Sequence, residues 1–461
     1  MTLELGTNGI RALFDELNGS SALDIAFGFG MFVKQNTKKE KPKIALAQDM
    51  RLTSPCIFSA SAAGLMESGC DVLDFGICPS PVAEFGLDRY KADGLIIVTA
   101  SHNPPEWNAL KFVDWNKIPI SQERGKKIIA YLSKEHKPKL DYTKIGKVYD
   151  YKNILNDYKL EVLKFVNLKL EKKLKMIVDV GNGTSTLILP QILKEIGLEV
   201  KVINEELNGR FPSRPSEPNE KNLSKLIEIV KKENADCGVG LDGDADRITF
   251  VDEKGRWIIG DKVLAICALY LLKNSSELKD KVLITTYATS KVVQAIGEKF
   301  GLKTIYCDIG APYLAQKIYE NKNNCLIAGE EVGGVVFPKF SIAKDGILTA
   351  ALLPKILLEQ KLSKWVDELP NFYNAKIKIE TNEKIKIKLV EKLFKELKNE
   401  YKDCEIVKLK NGFRIDFKND SWVLVRSSGT ENYIRIFAEA KTQKEADELS
   451  AKFKQRLAYL M

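Results

Sequence analysis

Order along the chain restricts its fold more than any other feature: short apolar runs alternate with helical patterns, and the cycle occurs three times in succession. Within the first 150 residues, KIALAQ, DVLDFG and GLIIVTA read as strands, and SPCIFSASAAGLMESG reads as a helix between them. From about residue 155, MIVDVGNGTS leads into the helical LILPQILKEIG and the strand LEVKVIN, while ADCGVGLDG and ITFVDE bracket a later turn. From about 260, KVLITTYATS, a helix through VVQAIGEKFG, KTIYCDIG and CLIAGEEVGG repeat the order. Buried strands joined by amphipathic helices make α/β sheets covered on both faces. At 461 residues the chain is about three times the ~150-residue prior for one domain, which leaves room for three such units and one more.

The last ninety residues change character. Leu389, Leu393, Phe394, Leu397 and Tyr401 lie on one helical face, and EIVKLK and FRIDF flank Asn411-Gly412, a two-residue hairpin signal. WVLVRSS and NYIRIFAEA supply two further strands. Thr442 and Glu445 form a capping-box pattern ahead of a helix with apolar Ala446, Leu449, Phe453, Leu457 and Leu460. A small antiparallel α+β domain is expected here. The expected units are residues 1–152, 153–256, 257–368 and 369–461, with a hinge at 365–372 on which the last could close as a lid.

Charge and cysteine usage narrow the partners. Lys and Arg (71) and Asp and Glu (62) are interspersed, so the net charge of +9 reads as a solvated surface open to small anions rather than as a nucleic-acid track. The eight cysteines form no CxxC pair and have only two histidines for company, which argues for reduced thiols rather than a zinc site. The longest strongly apolar run, Val263 to Leu272, is ten residues closed by Lys262 and Lys273, too short to span a bilayer. MTLELGTNGIRALF lacks the plan of a signal peptide. A cytoplasmic chain without membrane or nucleic-acid partners is the expectation; oligomeric state is not legible.

Four stretches could do chemistry. In LIIVTASHNPPEWNALKF a buried strand ends at a turn, Ala100-Ser101-His102-Asn103, that two prolines keep from becoming helix. Such a turn exposes a hydroxyl at a strand's carboxyl end, where α/β sheets place ligands, beside one of the two histidines. In LDGDADRITFVDE, Asp242, Asp244 and Asp246 alternate within five residues and repel unless a cation sits among them. Oxygen-only ligation selects magnesium or calcium. A calcium EF-hand loop is the rival: Glu253 falls at its twelfth position, but Arg247 stands where that loop needs glycine. VRSSGTENYIRI sets Arg426, Ser427, Ser428, Gly429 and Thr430 in a turn whose hydroxyls, N–H groups and guanidinium suit a phosphate dianion. AGEEVGG joins two carboxylates to a glycine pair, suited to sugar hydroxyls.

Together, in this order and spacing, these stretches resemble the α-D-phosphohexomutase superfamily of phosphoglucomutases, phosphomannomutases and phosphoglucosamine mutases. The resemblance spans nearly the whole chain, from GTNGIR through QDMR, TASHNP, FPSRPSEP, DGDADR and KDGI to RSSGTEN. It implies three related α/β domains with mixed sheets and a smaller fourth around one central cleft. It implies that Ser101 carries a transferable phosphate, that Asp242, Asp244 and Asp246 hold one Mg²⁺ with the seryl phosphate of Ser101 as a further ligand, and that Arg11 and Arg247 lie near the transferring group. Lys111 matches a lysine assigned acid/base work, and His102 is a second candidate for that proton. Glu330, with Gly329 and Val332 in its loop, would meet the sugar, and Arg426, Ser428, Gly429 and Thr430 would clamp the non-reacting phosphate.

The reaction so implied is interconversion of hexose 1-phosphate and hexose 6-phosphate, of glucose or mannose type, through a hexose 1,6-bisphosphate. Glucosamine phosphate is the alternative substrate, because GTNGIR is similar to the opening of that branch. Lys111 would need a lowered pKa to serve as a base. The chain departs from the family pattern at Val332, where many members have Ser, at Gly334, where some have His, and at Asn8, Ala12, Ala47 and Gln48. A serine-dependent sugar phosphatase and a non-catalytic calcium- or anion-binding protein are the competing readings.

Overall fold

Each predicted α/β cycle forms a sheet in the computed structural model, which describes residues 5–6, 9–131, 141–428 and 432–461. The first sheet runs β1 (Leu5–Gly6), β2 (Gly9–Leu13), β6 (Trp107–Asp114), β5 (Gly94–Val98), β3 (Lys43–Gln48), β4 (Asp71–Ile77) and β7 (Val148–Asp150). The second runs β12 (Trp257–Ile258), β11 (Ile248–Asp252), β10 (Cys237–Leu241), β8 (Lys175–Asp179) and β9 (Glu199–Ile203). The third runs β14 (Lys303–Cys307), β13 (Val282–Thr286), β15 (Cys325–Gly329) and β16 (Val335–Val336). The fourth is wholly antiparallel: β17 (Tyr373–Glu380), β21 (Tyr433–Ala440), β20 (Trp422–Ser427), β19 (Gly412–Asp416) and β18 (Glu405–Leu409).

The first three sheets repeat one topology. In each, three strands run parallel (β3, β4, β5; β8, β9, β10; β13, β14, β15), and a fourth (β6, β11, β16) returns antiparallel beside the third. The physical basis is burial: β5 and β10 are buried at every position, as central strands must be when helices cover both faces. That return leaves a tight turn at the carboxyl end of β5, β10 and β15, where such sheets collect ligands.

One continuous apolar interior links the first three units, including Phe75, Ile97, Tyr158, Val239, Leu264, Ile347 and Trp365. The fourth has its own core of Leu389, Leu393, Phe413, Val423, Ile434 and Phe453. It leans on the third unit through Ala288, Leu409, Trp422, Leu424 and Phe437, and through the Arg414 guanidinium, which stacks 4.2 Å from the Trp422 ring and donates to the Tyr287 carbonyl. The 365–372 segment is anchored at both ends by buried Trp365 and Phe372.

The capping box at Thr442 and Glu445 is present, and the helix Gln443–Leu460 buries Ala446, Phe453 and Leu457. The hairpin differs by one residue from expectation. Leu409 pairs with Gly412, so Lys410-Asn411 form the turn and Gly412 begins the strand. A Cβ at Gly412 would lie 2.2 Å from the Val425 carbonyl oxygen, so this glycine serves close strand approach rather than the turn. The eight cysteines are unpaired thiols and six are buried. Val263 to Leu272 lies inside the buried helix Gly260–Asn274, and among the described residues no helix is long and apolar enough to cross a membrane.

Candidate active site

The serine turn joins β5 to β6. Ser101 is buried, adopts φ +52°, and its Oγ donates to Asp242 Oδ2 at 2.7 Å. A left-handed backbone at a non-glycine residue persists only where the surroundings over-determine it. Here Arg51 of QDMR does so. Its Nη2 donates to the carbonyls of Ser101 (2.8 Å) and Asn103 (2.7 Å), and its Nη1 to those of Pro104 (2.5 Å) and Trp107 (3.0 Å). Asp49 holds the same guanidinium at Nε, 3.0 Å away. His102 Nδ1 stands 3.4 Å from Ser101 Oγ, and burial, then Arg247 and Arg11, push the imidazole pKa well below 6.5.

The acidic loop occupies the equivalent turn between β10 and β11. Asp242, Asp244 and Asp246 are buried, each offering an oxygen within 4.8 Å of the others, with Ala245 at φ +63°. Burial and the two neighbouring carboxylates raise the Asp242 pKa well above 3.8. Asp244 and Asp246 are buried too, but cations hold them below the ordinary range: Lys111 acts on Asp244, and Lys344 and Lys111 act on Asp246. Among the described residues Oδ1 of both has no hydrogen-bond partner, although a buried carboxylate oxygen ordinarily has one. Unpartnered buried carboxylate oxygens in a cluster of three aspartates suit a hard divalent cation, so the three could hold a metal. Glu253 takes no part: it accepts from the Ser363 N–H (3.1 Å) and hydroxyl (2.5 Å) beyond β11, which removes the EF-hand alternative.

The surrounding charges tie the units together. Lys111, on β6, donates to Asp244 Oδ2 at 2.5 Å and lies 3.7 Å from Asp246. Burial lowers its pKa, but Asp244 and Asp246 outweigh burial and leave it above 10.5. The lowered pKa that a lysine base requires is therefore not what this environment produces. Lys344 of KDGI spans from Asp246 (3.1 Å) to Glu330 (2.8 Å), joining the acidic loop to the loop after β15. Arg247 Nη1 donates to Glu217 Oε2 at 2.7 Å, and Glu217 lies 3.8 Å from His102 Nε2. Arg11, on β2, donates to the Asn103 side chain at 2.5 Å, and burial and Arg247 lower its pKa to about 10. Ser216 Oγ accepts from Gly243 N–H and reaches the Ser101 carbonyl, while Ser80 Oγ donates to Asp244 Oδ2 at 2.6 Å.

One cleft of about 560 Å³ is lined by Ser101, His102, Lys111, Arg11 and Arg247 together with Glu330, Val332, Arg426 and Ser428. Gly329 supports rather than lines: it ends β15, and its carbonyl accepts from Thr285 Oγ1 at 2.8 Å. Gly429 and Thr430 lie outside the described residues. Also in the wall are Glu217, Lys344, Lys376, Lys378, Tyr433 and Arg435, to which the sequence motifs assign no role. The legible signal for the two β17 lysines was their alternation in NAKIKIE, which puts both on one face.

The turns after β5, β10 and β15, together with Arg426 and Ser428 of the fourth unit, border one cleft whose charges suit a phosphorylated ligand. Residues 2–139, 156–255 and 259–373 match the phosphoglucomutase/phosphomannomutase alpha/beta/alpha domains I, II and III, and 376–456 match the C-terminal domain. A phosphoglucomutase/phosphomannomutase of Thermococcus kodakarensis is 37% identical over 450 residues, covering 96% of each chain. A probable phosphoglucosamine mutase of Methanosphaera stadtmanae is 33% identical over 449 residues, again covering 96% of each. The crystal structure of a phosphoglucomutase/phosphomannomutase family protein from Burkholderia thailandensis superposes with a TM-score of 0.85 at 25% identity, over 99% of this chain and 97% of that one. The chain belongs to the phosphoglucomutase/phosphomannomutase family, within the α-D-phosphohexomutase superfamily.

Proposed function

We propose that this protein is a phosphohexomutase interconverting hexose 1-phosphate and hexose 6-phosphate, with Ser101 storing the phosphoryl group between half-reactions. The carrying observation is the 2.7 Å contact of Ser101 Oγ with Asp242, inside the acidic triad and in one cleft with Glu330 and Arg426. Mg²⁺ held by Asp242, Asp244 and Asp246 would supply charge neutralisation for phosphoryl transfer.

The chain's own groups account for the rest. Phosphoryl leaves Ser101 Oγ for one sugar hydroxyl, and after the hexose 1,6-bisphosphate has turned round in the cleft, the other phosphate returns to Ser101. In each half the attacking hydroxyl gives up a proton and the oxygen that releases the phosphoryl group takes one up. His102, neutral near pH 7, suits its acceptance, and the Lys111 ammonium suits neutralisation of the transferring group and proton return. Arg247 and Arg11 add positive charge beside Ser101. Glu330, fixed by Lys344, presents a carboxylate to sugar hydroxyls, and Arg426 and Ser428 bind the phosphate that is not reacting.

Glucose or mannose phosphate follows from the Thermococcus relative, and glucosamine phosphate from the Methanosphaera relative. Side-by-side assay of glucose, mannose and glucosamine 1-phosphates with Mg²⁺ and a bisphosphate primer decides between them. No turnover of any of the three sinks the mutase reading, and free phosphate released faster than isomerised sugar replaces it with a phosphatase.

A further inference from the structure

A tyrosine hydroxyl is buried where the first three units meet. Tyr158, on the helix Ile154–Val166 that opens the second unit, packs edge-on against Phe85 of the first (ring centroids 5.5 Å apart) and Phe340 of the third (5.8 Å). Apolar packing needs only the ring, whereas a buried hydroxyl needs a partner. That partner is Asp345, whose Oδ2 accepts from Tyr158 Oη at 2.6 Å, 187 positions away in sequence. Asp345 is itself buried, and its Oδ1 caps the helix Gly346–Glu359 by accepting from the Leu348 N–H at 2.8 Å. Burial raises the Asp345 pKa to about 6, and the Leu348 N–H and the Tyr158 hydroxyl pull it the other way. Both chain neighbours of Asp345 reach the site. Lys344 spans Asp246 and Glu330, and a Cβ at Gly334 would lie 2.3 Å from Lys344 Cδ, so the lysine stem runs where a side chain at 334 would stand. The Gly346 N–H donates to the carbonyl of Ala245, the left-handed residue of the acidic loop, at 3.1 Å. A Cβ at Gly346 would lie 2.9 Å from that same oxygen, so turn and loop meet with no room for a methyl group.

We propose that Tyr158 is a positioning residue for the reaction: its hydroxyl anchors Asp345, and the 344–346 turn so fixed holds Lys344 between Asp246 and Glu330 and Gly346 against the acidic loop. For the reaction it serves, the inference rests on the phosphohexomutase reading. Tyr158 does not itself line the cleft. The need for an anchor is physical. A lysine carries its charge on a flexible four-carbon stem, so its placement depends on how firmly its backbone is held. Without Oη, Asp345 Oδ2 is left buried and unpaired, and the carboxylate must turn toward another donor or leave its cap, moving both neighbours with it. Groups that orient metal-binding carboxylates from behind matter to affinity nearly as much as the ligands do.

Tyr158→Phe in the full chain keeps the ring and removes the donor. Calorimetric titration with Mg²⁺ in the absence of sugar should show Kd raised about tenfold, and at saturating Mg²⁺ kcat should still be about tenfold low. Phe340→Leu loosens the same aromatic packing and leaves the hydroxyl, so it should lower the melting temperature with Mg²⁺ affinity within about twofold of wild type. In an Asp345→Ala background Tyr158→Phe should change nothing further, because the two residues act as one link. Mg²⁺ affinity and kcat both unchanged in Tyr158→Phe overturn the positioning role, and normal turnover by the wild type then leaves the mutase reading intact. An equal loss of Mg²⁺ affinity in Phe340→Leu overturns it as well, by tracing the effect to packing rather than to the hydroxyl. A wild type that turns over no sugar phosphate, with Mg²⁺ binding still weakened in Tyr158→Phe, keeps the positioning role and overturns the reading.

Discussion

Replacing Arg51 by lysine keeps the charge and most of the volume but removes the fork. In the native protein the guanidinium makes five contacts: the carbonyls of Ser101, Asn103, Pro104 and Trp107, and the Asp49 carboxylate. An ammonium offers three donors from one point. At least two acceptors are then left bare in a buried setting, at about 1–3 kcal/mol each, or about 2–6 kcal/mol in all. That sum is comparable with the net stability of a whole domain, about 5–15 kcal/mol. The least costly escape is local, through relaxation of the turn and release of Ser101 from its φ of +52°. A nucleophile displaced by about 1 Å loses on the order of 100-fold in rate. Arg51→Lys should therefore lower kcat about 100-fold or more with KM within about threefold, in a coupled mutase assay, while far-UV circular dichroism stays native. A variant with kcat within threefold of wild type and unchanged thermal stability would refute the claim that Arg51 holds the serine turn.

Ser101→Ala should abolish turnover, and intact-protein mass spectrometry should lose a phosphoryl adduct that the wild type gains after incubation with hexose bisphosphate; an adduct persisting in the variant moves the carrier elsewhere. Chelation should remove activity and Mg²⁺ restore it, with Mg²⁺ at about 100 times its Kd stabilising the fold by about 2.7 kcal/mol; a melting temperature indifferent to Mg²⁺ speaks against the triad as its site. Asp261, buried at the start of helix Gly260–Asn274, has its pKa pushed up to about 8, chiefly by burial. The unfolded chain gives up this proton near 3.8 and the folded chain holds it to about 8, so this group's effect is to lower stability progressively as pH rises through that window and fully above it. Asp261→Asn should flatten the decline in melting temperature between pH 6 and 9, and an unchanged slope contradicts a buried neutral carboxyl.

Legibility in the sequence followed the range of the interactions involved. Alternation and turn chemistry are local, so the strands around Ser101 and the acidic loop, the Thr442 capping box and the final helix face were readable directly. The hairpin at 410–412 differs by one residue because Gly412 answers to the backbone of β20, at the Val425 carbonyl thirteen residues further along, and not to its own turn. Lys111 carried no local mark of the carboxylates that hold it protonated, since Asp244 lies 133 positions away. Arg51 appeared only as part of QDMR, because four carbonyls within one turn cannot be foreseen from the residue that will satisfy them.

By itself the sequence determined that there would be three α/β cycles and one antiparallel unit, and it marked the serine, the three aspartates, the carboxylate loop and the arginine turn. Period and residue type suffice for these, since they depend on neighbours a few positions apart. Only the tertiary structure decided that the turns after β5, β10 and β15 are equivalent, each before an antiparallel strand, that Lys344 and Ser216 stitch those three together, and that Lys378, Arg435 and Arg426 share a rung. Those relations depend on strand register and on contacts between units, where distance through space is unrelated to distance along the chain.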